Sequence, residues 1–225
     1  MKYLIANWKA QMTKVTIESW LDEFISLSKK NNNLLQSLVE NKLRIIIAPP
    51  FPYLSFVKEK LEVLPNIKIA SQTVSNVVSG KFTGEVTAQM VKDFCDYSII
   101  GHSERRSNYG ENEMDILTKI SNAEKSEIES ILCIRNVNDI VYPNANLIAY
   151  EPPDSIGTGN NAPVKSVLEI KNNIKLYPNQ IFLYGASVDE VNMQDYLNTN
   201  EIFGLLVGTA SLDPIRFYNM ATKMI

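Results

Sequence analysis

Tyr97-Ser98-Ile99-Ile100-Gly101, then a segment with helical spacing over Glu113–Lys125, then Ser130-Ile131-Leu132-Cys133-Ile134, read as strand, helix and strand. The two apolar runs lack strict alternation, as expected of parallel strands buried on both faces, and parallel neighbours need a crossover long enough to hold a helix. The same unit recurs along the chain. Its other runs are Tyr3–Trp8, Leu43–Ala48, Ile67–Ser71, Asn146–Glu151, Ile181–Tyr184 and Phe203–Gly208, eight in all with the first two. Further candidate helices lie over Thr16–Ser37, Tyr53–Leu64, Val86–Cys95, Pro163–Leu176, Val188–Leu197 and Pro214–Met224. Strand alternating with helix gives right-handed crossovers and an α/β fold, and eight units in 225 residues predict a closed (β/α)8 barrel rather than an open doubly wound sheet. The connection from Arg135 to Ala145 is too short for a full helix, so the fifth βα unit is expected to be shortened. No linker or compositional shift divides the chain; residues 1–225 are read as a single domain, with Asn31–Asn33 as solvated loop.

Composition narrows the partners. The chain is 45% apolar and 21% charged, with 22 basic and 25 acidic side chains and a net charge of −3. Charges of both signs are spread along it, so the clustered Lys and Arg that a phosphate backbone requires are missing and no nucleic-acid partner is expected. Cys95 and Cys133 make no disulfide framework and, with one histidine, no structural zinc site. The apolar run Tyr3–Ala6 is far shorter than the roughly 7–15 residues of a signal core or the about 20 of a membrane helix. A cytoplasmic protein with reduced thiols and no membrane partner is expected.

A barrel of this kind carries its chemistry at the C-terminal ends of its strands. Glu151 closes Leu147-Ile148-Ala149-Tyr150 and is followed by Pro152 and Pro153, which hold the preceding backbone extended. At that apolar edge desolvation is expected to raise its pKa toward the working pH of a base, the alternative being an ion pair with a nearby cation. His102 is the one imidazole in the chain and follows Ile99-Ile100-Gly101, as a catalytic or a structural histidine. A zinc site built on two or three histidines is impossible, and no Gly-x-Ser-x-Gly elbow occurs. Asn7 and Lys9 flank Trp8 and can point the same way from an extended segment. Ile156-Gly157-Thr158-Gly159, Gly185-Ala186-Ser187 and Gly208-Thr209-Ala210-Ser211 follow strands six, seven and eight and offer backbone N–H groups for a phosphate-sized anion.

Together with Phe82-Thr83-Gly84-Glu85 and Gly101-His102-Ser103-Glu104-Arg105-Arg106, and in the same order over nearly the whole chain, these segments closely resemble the triosephosphate isomerase family. The resemblance implies a (β/α)8 TIM barrel that interconverts dihydroxyacetone phosphate and glyceraldehyde 3-phosphate without cofactor or metal. It implies Glu151 as the base, a neutral His102 that polarises the carbonyl, and Asn7 and Lys9 stabilising the enediolate. It further implies Glu104 beside the lysine, Ser103 holding the base, and phosphate on the N–H groups of Gly157, Ser187, Gly208 and Thr209. Pro152 to Ala162 would form a lid, with Ile156 and Leu206 as apolar walls. Ser75 to Phe82, leading into Thr83, would pack into a neighbouring subunit of a homodimer or, as in compact versions, a tetramer.

The segment departs from the family's pattern in two coupled places. The usual Pro-Val-Trp-Ala of the lid's first hinge is Pro152-Pro153-Asp154-Ser155 here, and the usual Cys-Ile-Gly-Glu is Cys133-Ile134-Arg135-Asn136. In common forms that Trp and Glu touch, so their joint replacement predicts a lid that opens differently. Ala186 and Thr209 stand where glycine is common, adding side chains beside the anion loops. Three rivals follow from the same residues: a metal-dependent phosphosugar epimerase, disfavoured by the lone His102; a two-carboxylate glycosidase using Glu104 and Glu151; and a non-catalytic phosphate-binding scaffold whose altered lid has lost turnover.

Overall fold

The apolar runs become strands because each has two sets of side chains to bury. The computed structural model describes residues 1–155 and 159–225. It places β1 at Lys2–Asn7, β2 at Leu43–Ala48, β3 at Lys68–Ser71, β4 at Tyr97–Ile100, β5 at Glu129–Ile134, β6 at Leu147–Tyr150, β7 at Ile181–Tyr184 and β8 at Gly204–Val207. They are parallel, each hydrogen-bonded to the next, and β8 returns to β1 to close the barrel. Tyr3, Ile5, Ile46, Ile99, Ile131, Ala149 and Leu183 fill the inside, whereas their neighbours Leu4, Ile45, Ile47, Ile100, Leu132, Ile148 and Phe182 face the surrounding helices. Since side chains alternate with period two along a strand, both sets must be apolar, which explains why the runs show no polar alternation.

The helices are α1 (Lys14–Lys29), α2 (Asn32–Val39), α3 (Leu54–Leu61), α4 (Ala88–Val91), α5 (Ser103–Tyr109), α6 (Glu113–Lys125), α7 (Val164–Asn173), α8 (Met193–Leu197) and α9 (Pro214–Lys223). Their starts are written in cap residues. The Thr13 and Asn112 side chains each accept a backbone N–H from the first turn of α1 and α6 within reciprocal capping boxes, and Asp213 caps α9 just before Pro214. One expected helix, Thr16–Ser37, is two: Asn31 Oδ1 accepts the Leu34 N–H at 3.0 Å and starts α2, so Asn31–Asn33 begin a helix instead of forming a solvated loop. The expected helices Val86–Cys95 and Val188–Leu197 shrink to α4 and α8, and α5, unforeseen, begins directly after His102. Between β5 and β6 there is no helix; Arg135 instead forks onto the Asp139 carboxylate and closes a short loop. No helix among the described residues is long and apolar enough to cross a membrane.

Barrel closure depends on Gly204. A Cβ there would lie 2.4 Å from the Tyr3 carbonyl oxygen and 2.7 Å from the Tyr3 Cβ, where β8 meets β1. Gly204→Ala is therefore expected to cost about 1–3 kcal/mol by overpacking. In a chain of this size that lowers Tm by roughly 3–10 °C, measurable by thermal denaturation followed by circular dichroism. A melting curve superimposable on that of the wild type would contradict this account of the seam.

Candidate active site

Period two also aims the site. Asn7 continues the inward set Tyr3, Ile5, and Glu151 continues Leu147, Ala149, so each points into the barrel mouth one step beyond the core. Glu151 is 2% exposed and His102 5%. Gly185 leaves room for the carboxylate, since a Cβ there would stand 3.2 Å from the Glu151 Cγ. His102 reaches the mouth by a different device. Gly101 takes φ 72° and turns the chain out of β4, with Arg106 packed where a Cβ would otherwise be.

Glu151 Oε1 lies 3.2 Å from His102 Nε2, and Oε2 accepts the Ser103 backbone N–H at 3.3 Å. Burial pushes the Glu151 carboxyl up, but the His102 charge and hydrogen bond, the Ser103 N–H and the Cys133 thiol together hold it below the usual carboxylate value of 4.5. The expected upward shift is thus corrected. The apolar edge is present, yet a buried carboxylate supplied with this many partners stays ionised. For His102, burial pulls the imidazole down and the adjoining Glu151 carboxylate outweighs it, raising the pKa above 6.5. Nδ1 accepts the Glu104 N–H at the start of α5, 3.2 Å away, so in the neutral imidazole the proton sits on Nε2, toward Glu151.

Lys9 occupies a left-handed backbone conformation, φ 50°, uncommon for a residue with a side chain. Its N–H donates to Asn7 Oδ1 at 3.1 Å and its carbonyl accepts Gln72 Nε2 at 2.9 Å, and these bonds hold the turn. The ammonium meets Glu104 Oε1 at 2.6 Å. Glu104 and Glu151 therefore flank the imidazole, 3.7 Å from Nδ1 and 3.2 Å from Nε2, rather than facing one another across a sugar-sized groove.

A cavity of about 370 Å³ joins Asn7, Lys9, His102 and Glu151 to Gly185, Ser187, Leu206, Gly208 and Thr209. The Ser187, Gly208 and Thr209 N–H groups donate to no acceptor among the described residues, and three such N–H groups at a cavity wall suit an oxyanion. Ser187 has φ 44°; its hydroxyl donates to the Ser155 carbonyl at 2.5 Å, tying the loop after β7 to the short 3-10 turn at Pro153–Ser155. Ala162, at the far end of the segment expected to form a lid, is anchored by the Tyr184 and Tyr196 hydroxyls, whose rings stack at 4.1 Å. Ile156 and Gly157 lie outside the described residues. Ser103 contributes through its backbone, its hydroxyl being buried without a partner among the described residues. Thr83 stands away from the cavity in an exposed loop whose tip includes Phe82.

The cavity also includes Asp189 and Arg216, which inspection of the sequence overlooked. Arg216 sits in the first turn of the helix after β8, the position from which barrel helices reach the mouth, and that placement was the available signal. Gln72 and Cys133 carried no signal, because each serves through a contact with a residue remote in sequence.

A family model described as triosephosphate isomerase matches residues 2–141 and 138–224. The chain is similar to a triosephosphate isomerase of Blochmanniella floridana, 34% identical over 261 aligned residues covering 99% of this chain and 96% of that protein. It is 34% identical to that of Dictyoglomus thermophilum, over 97% of this chain and 98% of the other. The protein of the same description from Thermodesulfovibrio yellowstonii is 35% identical, with 96% of each chain covered.

Proposed function

Because the chain belongs to the triosephosphate isomerase family, it is an isomerase of triose phosphates, and we propose that Glu151, His102, Lys9 and Asn7 carry out its reaction. The observation that carries this assignment is the convergence on one cavity of these four side chains and three N–H groups that have no acceptor among the described residues. The phosphate of dihydroxyacetone phosphate or glyceraldehyde 3-phosphate binds the Ser187, Gly208 and Thr209 N–H groups, with Gly157 proposed from the resemblance. The substrate carbonyl takes the place of Glu151 at His102 Nε2–H. The freed carboxylate, now against the wall at Leu206, removes the proton from the carbon beside the carbonyl and returns it to the adjacent carbon. His102 moves the hydroxyl proton, while Lys9 and the Asn7 amide stabilise the negative charge of the enediolate.

Substrate binding removes from His102 the Glu151 carboxylate, the larger of the two that raise its pKa, while burial and Lys9, which lower it, remain together with the smaller upward pull of Glu104. The acid limb of kcat/KM, which reports the free enzyme, is therefore expected above 6.5, and that of kcat at lower pH. Coincident limbs in full pH profiles would contradict the displacement of Glu151 by the carbonyl.

One barrel domain spanning residues 1–225, working in the cytoplasm as a homodimer, completes the proposal. The exposed loop around Phe82 and Thr83, which this chain does not cover, supports the dimer. Light scattering over a range of concentrations is expected to give twice the chain mass or, for a tetramer, four times; a constant monomer mass overturns it. The activity itself is tested by a coupled assay of glyceraldehyde 3-phosphate isomerisation, in which a folded chain that binds a phosphate-bearing enediolate analogue without turnover would overturn the roles given to the four residues.

A further inference from the structure

Arg216 lines the cavity, yet the reaction above leaves it unused. Its Nε–H donates to both Glu190 carboxylate oxygens, at 2.8 and 3.0 Å, and its Nη2 to Asp189 Oδ2 at 3.3 Å. Asp213, the cap of α9, adds a third acid to its surroundings. Asp189 itself lines the cavity and follows Ser187 by two residues, while its other oxygen accepts the Val191 and Asn192 N–H groups at 2.9 and 3.1 Å. A carboxylate is thus built into the wall beside an N–H group assigned to a phosphate dianion. Left uncovered it repels that ligand, a repulsion moderated by solvent because the Asp189 side chain is 32% exposed.

We propose that Arg216 is a specificity-determining residue for the phosphate dianion. Its guanidinium covers Asp189 and supplies a second cation to the cavity beside Lys9. The Nη1 group of Arg216 has no acceptor among the described residues, so it retains donors after pairing with both acids. The pairing fixes the fork at the cavity wall, an arrangement that a single flexible lysine reproduces only in charge. This inference rests on the isomerase reading and adds to it the source of discrimination between phosphorylated and unphosphorylated substrates.

The test compares kcat/KM for glyceraldehyde 3-phosphate with that for unphosphorylated glyceraldehyde in wild type, Arg216→Met, Arg216→Lys and the double variant Asp189→Asn/Arg216→Met, each checked for folding by circular dichroism. In Arg216→Met the ratio of the two constants is expected to fall about tenfold, the order of a unit charge removed from a dianion across partly shielded solvent. Most of the change should appear in KM for the phosphorylated substrate. Arg216→Lys should restore part of the ratio, and the double variant should restore it further by removing the uncovered carboxylate. An unchanged ratio in Arg216→Met, or no recovery in the double variant, overturns the proposal. Titration calorimetry with inorganic phosphate supplies a readout independent of turnover. An inactive wild type would count against the isomerase reading, whereas phosphate affinity that is the same in wild type and Arg216→Met would count against the charge pair alone.

Discussion

Glu151→Gln is expected to lower kcat for glyceraldehyde 3-phosphate by about 10²–10⁴-fold, the range over which a positioned proton-transfer group acts. Glutamine keeps the shape of the side chain, and its carbonyl can still accept the Ser103 N–H, so the cavity and its anion-binding N–H groups persist. What is lost is the buried carboxylate that takes the proton from carbon. Each tenfold loss corresponds to about 1.4 kcal/mol of transition-state stabilisation, so the variant forfeits roughly 3–5 kcal/mol in the reaction. Binding of an enediolate analogue should weaken far less than turnover falls. The measurement is the coupled assay on both proteins after circular dichroism shows the same fold. Retention of more than a tenth of the wild-type kcat would sink the assignment of Glu151 as the base.

The second large effect is expected for Lys9→Met, with kcat/KM falling by about 10²–10³-fold, as when a preorganised donor to a developing oxyanion is removed. Methionine retains the apolar stem, and the Asn7 and Gln72 bonds that hold the φ 50° backbone do not involve the lysine side chain. The loss is therefore electrostatic. Glu104, 42% exposed at its side chain, is left without its 2.6 Å partner but remains solvated, so stability should change little. Since the ammonium acts on an anionic ligand before and during the reaction, both kcat and KM should move. A change smaller than threefold in kcat/KM would show that the lysine serves only the Glu104 ion pair.

Much of the site was legible because barrel geometry converts sequence position into location. Apolar runs that end in polar residues, Asn7 after Ala6 and Glu151 after Tyr150, announce what stands at the mouth, whereas which of the two apolar sets faces inward came from the closed barrel. His102, the one imidazole in the chain, stayed open between a catalytic and a structural reading until the resemblance gave it a role. The direction of the Glu151 shift was not legible. The Leu147–Tyr150 strand reveals desolvation, but His102, the Ser103 N–H and Cys133 come from other strands and outweigh it. Asn31–Asn33 were misread for a related reason: the same side-chain oxygen that closes a polar turn can cap a helix, and the choice depends on whether Leu34 and Leu38 find a core to enter.

By itself the sequence determined the alternation of strand and helix and the eight strands, because these follow from periodicity and capping over a few residues. The resemblance already implied Glu104 beside Lys9, 95 residues away, and Ser103 at the base, 48 residues from it; only the tertiary structure decided that Ser103 makes that contact through its N–H and that Arg216 covers Asp189 at the cavity wall. Those pairings arise when β8 hydrogen-bonds to β1 and brings all the strand ends to one mouth. Hydrophobic periodicity specifies which way a side chain leaves its own strand, whereas charge and pKa depend on which groups the closed barrel sets within a few ångströms of it.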